Sequence, residues 1–171
     1  MGVRSGTGES LRDAEIRRLK LASGGQTGVD RAALDVGLTL GLAVGGGCPP
    51  GRWAEDGAIP DRYPLTETPE RDYEARTRRN IEGSDGTLIL NVGKLDGGTA
   101  LAARHARQVG KPCLVVALEE GIEPATFRDW LEANHIAVLN VAGSRASQRP
   151  GGYAAAARGL EARLRAVFPH E

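Results

Sequence analysis

Five apolar runs, each followed further along by a segment patterned as an amphipathic helix, restrict the folds open to this chain more than any other feature. The runs are Leu19 to Ser23, Leu42 to Gly45, Thr87 to Val92, Pro112 to Ala117 and Ile136 to Val141. The predicted helices run from Val29 to Leu40, Pro69 to Ile81, Thr99 to Gln108, Pro124 to Ala133 and Tyr153 to Phe168. In the first of these, Val29, Ala32, Ala33, Val36 and Leu40 recur at three- and four-residue steps and lay one apolar stripe on a sheet. Thr87 to Val92 suits a central parallel strand buried on both faces. This alternation predicts an α/β chain, a Rossmann-like three-layer α/β/α domain with a mainly parallel sheet. A length of 171 residues fits one well-buried domain. Residues 1–17, rich in Gly, Ser, Arg and Glu, read as a flexible leader, and 18–171 as a single ligand-binding domain.

The first strand breaks into a turn spelled Ser23-Gly24-Gly25-Gln26-Thr27-Gly28-Val29-Asp30. A strand that passes through glycines into a helix leaves the first helical N–H groups unpaired at the positive end of the dipole, where an anion can sit. Ser23 and Thr27 add hydroxyls, and Gln26 and Asp30 crowd the same turn, so a binding turn is favoured over a tight turn without ligand. Asp30 has two candidate roles, ligand contact or stabilisation of the dipole and loop. The glycines fall as GGxxG, which is neither a Walker loop nor the GxGxxG dinucleotide fingerprint.

A second turn of the same kind follows the third strand. The chain leaves Asn91, passes Gly93, Gly97 and Gly98, and enters a helix at Thr99. Two such turns agree with the rule that ligands of open α/β sheets bind outside the carboxyl ends of the strands. Between them, Gly46 to Pro69 forms an irregular segment holding Cys48, Arg52, Trp53, Glu55, Asp56 and Asp61; it reads as an ordered flap over the site. Thr68 is the expected N-cap of the helix beginning at Pro69, and one arginine among Arg76, Arg78 and Arg79 is a candidate to turn inward toward an anion.

The 22 basic residues balance 22 acidic ones, and aromatic residues make up only 4%, which argues against a nucleic-acid groove or a base-stacking platform. No 18-residue apolar stretch or hydrophobic signal core occurs, so no membrane association and a cytoplasmic location are expected. Cys48 and Cys113 lie outside zinc spacing; Cys113 is expected buried and Cys48 accessible. His105, His135 and His170 form no ligand cluster, and no metal site or nucleophile–base pair is evident. What remains is a set of backbone donors, hydroxyls and amides, from Ser23, Gly24, Gly25, Gln26, Thr27, Asn91, Gly97, Gly98, Thr99, Asn140 and Ser144. Asp30, Glu55, Asp56 and Arg52 stand near it. This set suits a small phosphorylated heterocyclic ligand.

SGGQTGVDRAALD at 23–35, CPPGRWAEDGAIPDRYPL at 48–65, Asp85 to Leu90 with Gly97-Gly98-Thr99, and Leu139 to Gly143 together resemble the molybdenum carrier (molybdenum cofactor carrier protein) family. That family is similar to the cytokinin-activating phosphoribohydrolases once called lysine decarboxylases. The resemblance implies a cytoplasmic homo-oligomer, a tetramer, that binds and protects the molybdenum cofactor and hands it to molybdenum enzymes. The cofactor is a phosphorylated pyranopterin whose dithiolene sulfurs hold the metal. In the phosphoribohydrolases a PGGxGTxxE motif carries the catalytic glutamate; here Ala102 takes its place, and alanine cannot move a proton. The resemblance therefore implies carriage rather than turnover, the alternatives being a phosphoribohydrolase-type nucleotide enzyme and a nucleotide-sensing module.

Overall fold

The computed structural model describes residues 19–167. The leader expected at 1–17, His170 and the predicted last residue of the final helix lie outside them. The main sheet has five strands, all parallel: β1 (Lys20–Ala22), β2 (Ala43–Gly45), β7 (Gly86–Asn91), β8 (Cys113–Ala117) and β9 (Val138–Gly143). The helices are α1 (Val29–Thr39), α2 (Tyr73–Glu82), α3 (Gly97–Gln108), α4 (Pro124–Ala133) and α5 (Gly152–Val167).

Strand parity sorts the two cores. Leu88 and Leu90 of β7 join Leu139 and Val141 of β9 beneath α1, α4 and α5, where Val36, Phe127, Leu131, Leu160 and Leu164 meet them. Ile89, one residue out of phase, points to the opposite face and packs with Ile81 of α2 and Ala102 and Ala106 of α3. Every residue of β7 is buried, and each of its large apolar side chains, Leu88, Ile89 and Leu90, contributes about 1.5–3 kcal/mol by leaving water. The same parity turns Asn140 and Thr87 toward the α2–α3 side, where Asn140 Nδ2 donates to Thr87 Oγ1 at 3.4 Å.

The sheet order is β2-β1-β9-β7-β8, so the last strand of the chain lies at the centre. Counting β9 as the first strand turns the order into 3-2-1-4-5, that of a Rossmann half. The chain departs to opposite sides between β9 and β7, and this switch point is where such sheets open a crevice at their carboxyl ends.

Two boundaries differ from the sequence expectation. The helix expected at Pro69 begins at Tyr73, capped by Asp72, whose side chain accepts from the Glu74 N–H at 3.1 Å. Thr68 is held elsewhere: its N–H and hydroxyl both donate to the Cys48 carbonyl, because β6 (Thr66–Glu67) pairs with β3 (Gly47–Cys48) and keeps the chain extended. The helix expected at Thr99 begins two residues earlier, at Gly97, and the Thr99 hydroxyl donates back to Asp96 O at 2.8 Å.

The segment 46–69 is ordered. Besides β3 and β6 it forms a hairpin of β4 (Trp53–Ala54) and β5 (Gly57–Ala58), and Cys48, Ala54, Ile59 and Tyr63 pack on Leu34 of α1. Cys48 is thus fully buried rather than accessible, and Cys113 is half-buried. His135 is exposed with φ 51° and takes the left-handed position that ends α4, followed by an Ile136 N–H to Leu131 O bond of 3.0 Å. Among the described residues no helix is long and apolar enough to cross a membrane.

Candidate functional site

A cleft opens at the switch point, floored by Asn140 to Gly143 at the end of β9. One wall is α2, through Tyr73, Arg76, Thr77 and Asn80; the other is the start of α3, through Gly98, Thr99 and Ala102. Gly24 and Asp30 close the third side.

Arg76 is the arginine that turns inward. Only 3% of it is exposed, whereas Arg78 and Arg79 pair with Glu74 and Glu70 at the surface. Its Nη1 donates to Gly24 O at 2.9 Å and lies 3.9 Å from Asp30 Oδ2; its Nε is buried without a partner. The guanidinium also sits 4.6 Å from the ring centroid of Tyr73, with Arg145 at 5.9 Å from the same ring. A buried cation whose donors are incompletely used is costly in isolation and is well matched by an oxyanion. Opposite it, Asp96 at the N-cap of α3 makes no side-chain capping bond, so the first amides of that helix keep their donors.

Asp30 is shaped by the same neighbours. Burial pushes its pKa up to about 6, against the opposing pull of the Arg76 charge and of the backbone N–H groups of Gln26 and Gly24. Its Oδ2 accepts from the Gln26 N–H at 3.3 Å.

The first glycine-rich turn lies differently from what the sequence suggests. Four of its amides donate within the fold: Gly25 N–H to Ser23 Oγ, Gln26 N–H to Asp30, Thr27 N–H to Gln26 Oε1 and Val29 N–H to Ser144 O. Ser23 Oγ in turn donates to Asp30 O at 2.9 Å. Gly28 has φ 81°, and a Cβ there would meet Ser144 O at 2.4 Å. Of this turn, Gly24 and Asp30 reach the cleft.

The flap braces that turn from behind instead of covering the cleft, which no residue of 46–69 lines. Glu55 accepts from the Thr27 hydroxyl and from the Ser147 N–H and hydroxyl at 3.0 and 2.6 Å, and these bonds hold its pKa below the usual carboxylate value. Asp56 binds Arg31 through both oxygens, at 3.0 and 3.1 Å. Arg52 donates to the carbonyls of Ile59, Pro60, Tyr63 and Leu65, all within the flap. Asn91 lies buried at the end of β7, where its Nδ2 donates to Gly93 O at 2.9 Å, and Gly97 is exposed at the tip of α3.

Tyr73, Thr77 and Asn80 escaped the sequence reading. With Arg76 they form a polar stripe at helical spacing on α2, so a helix whose sheet-facing side is polar was the available signal. Asn80 also ties the flap root to α2, accepting from the Gly47 N–H at 2.7 Å and donating to Gly47 O at 3.1 Å. Among the described residues no group of three or more His, Cys, Asp or Glu is placed to hold a metal ion.

Residues 21–164 match the circularly permutated YpsA SLOG family. The chain is also similar to a crystal structure of a "putative molybdenum carrier protein" from Syntrophus aciditrophicus SB. The two share 43% sequence identity and a TM-score of 0.79, over 88% of this chain and 94% of that one. No curated protein matches the chain.

Proposed function

The chain belongs to the circularly permutated YpsA SLOG family, and from that premise we propose that it binds, protects and carries the molybdenum cofactor without turning it over. The observation that carries this reading is Arg76: a cation only 3% exposed, with Nε unpartnered, facing the uncapped start of α3 across one cleft. That pair suits the terminal phosphate of a phosphorylated pterin, held by guanidinium and helix amides together. Asn140 and Asp30 offer hydrogen bonds nearby, and Gly24, Gly98 and Thr99 complete the contact surface. Ser23, Gly25, Gln26, Thr27, Arg52, Glu55 and Asp56 keep the surrounding loops in place, and Asn91 and Gly97 frame the turn between β7 and α3. In this reading residues 18–171 act as one ligand-binding domain, in a cytoplasmic homo-oligomer, and molybdenum enzymes receive the cargo.

Carriage is favoured because Ala102 lines the cleft at the position where the phosphoribohydrolases carry their glutamate. The name of the neighbouring structure, a molybdenum carrier, supports cargo related to molybdenum. The test adds purified protein in excess to cofactor freshly released under anaerobic conditions and follows its oxidative decay in air. Slower decay is expected, and Gly98→Asp should restore the fast rate; an unchanged decay rate with the unaltered protein defeats the reading.

One observation favours a second reading. Asp30, with a pKa of about 6 inside the cleft, has the acidity of a general acid or base. An enzyme of the phosphoribohydrolase type would release free base from nucleoside monophosphates, and a blank across the common nucleotides would remove it. Affinity for a nucleotide without turnover would instead favour a nucleotide sensor.

A further inference from the structure

We propose that the cleft takes up a tetrahedral oxyanion together with one proton, and that Asp30 is the group that receives the proton. The inference rests on the anion-binding reading above and adds the charge state in which the site accepts its ligand.

The geometry leaves the cleft in balance before anything binds. Among the described residues that line it, the ionisable side chains are Asp30, Arg76 and Tyr73. Ionised Asp30 and Arg76 cancel one another at 3.9 Å. An oxyanion that docks in the cleft against Arg76 therefore brings a second negative charge beside a buried carboxylate. Two like charges in such a site are not both kept, and the carboxyl takes a proton from solvent. Its O–H then becomes a donor toward the bound anion, and no other bond is made or broken.

The other two arginines of the neighbourhood, Arg31 and Arg145, do not line the cleft. Arg31, on the same helix, is held by both oxygens of Asp56. Arg145, in the loop after β9, lies 5.9 Å from the Tyr73 ring. From α3 and β9 the lining residues Gly98, Thr99, Ala102 and Asn140 carry no charge. Burial has already brought Asp30 to about 6, so the remaining shift needed for protonation near neutrality is small.

Sulfate is a suitable probe, because its charge stays fixed between pH 5.5 and 8.5. Titration calorimetry of the whole chain in two buffers of different ionisation enthalpy counts the protons taken up. The expected result is close to one proton per sulfate near pH 7, with affinity falling by up to about tenfold per pH unit above about 6. Asp30→Asn should bind sulfate with pH-independent affinity, about tenfold or more tighter than the unaltered protein at pH 8. Sulfate binding with no proton uptake and a flat pH profile overturns the inference while the anion site stands. Absence of sulfate binding at every pH, in both proteins, overturns the anion site and the inference together.

Discussion

Arg76 and Gly24, 52 residues apart in the chain, are joined by a 2.9 Å hydrogen bond from guanidinium to carbonyl, and Arg76 Nη1 lies 1.8 Å from where a Cβ on Gly24 would stand. The arginine can enter the cleft only because this position has no side chain. Gly24→Ala should therefore push the guanidinium out of place and weaken inorganic phosphate binding by roughly tenfold or more, as read by calorimetry. Arg76→Lys should fail in the same assay, because an ammonium cannot reproduce the planar fork that reaches carbonyl and anion at once. Unchanged phosphate affinity in both variants would remove Arg76 from the site.

Asp30 makes stability depend on pH in an unusual direction for a carboxylate. Its folded pKa of about 6 lies above the ordinary 3.8, so the folded state holds this proton more tightly than the unfolded chain. Its contribution is fully present below pH 3.8, shrinks as the pH rises, and is lost above about 6. The amplitude of such a shift is roughly 3 kcal/mol. Asp30→Asn, neutral at every pH, should match the unaltered protein in urea unfolding near pH 4 and exceed it at pH 7.5 by up to about that amount. A variant less stable at pH 7.5 than at pH 4, relative to the unaltered protein, would contradict the assignment.

Gly28 stands at φ 81°, ψ −129°, a region closed to residues with a side chain, and a Cβ would also meet Ser144 O at 2.4 Å. Gly28→Ala should cost about 1–3 kcal/mol from backbone strain alone, more with the clash, and lower the thermal midpoint. Since four amides of this turn donate within the fold, the loss should appear in stability before it appears in ligand affinity.

Glu55 latches the flap hairpin to Thr27 and Ser147. Its pKa is lowered by these bonds, so the latch is fully in place above the ordinary 4.5 and is released as the pH falls through the lower folded value. Glu55→Ala should speed hydrogen exchange of the amides at 53–58 and 145–148 at neutral pH, leaving β7 protected. Equal exchange in both proteins would show that the hairpin is held by other contacts.

The alternation of apolar runs and helical patterns was enough to read the five strands of the main sheet, the helices and the layered α/β class, because periodicity and turn chemistry are local. The glycine turn at 23–30 and the second turn near Gly97 were legible for the same reason, whereas the alanine at 102 stood out through the family resemblance alone. Boundaries slipped where a distant partner intervened: Thr68 looks like a helix cap in isolation but bonds to Cys48 across the flap. Only the tertiary structure decided that β9 lies at the centre of the sheet, that Arg76 rather than Arg78 or Arg79 turns inward, and that amides of the first turn donate within the fold while the start of α3 keeps its donors open. Each of these depends on which groups meet across tens of residues, and the energy of a buried charge or an unpaired amide exists only once those groups have met.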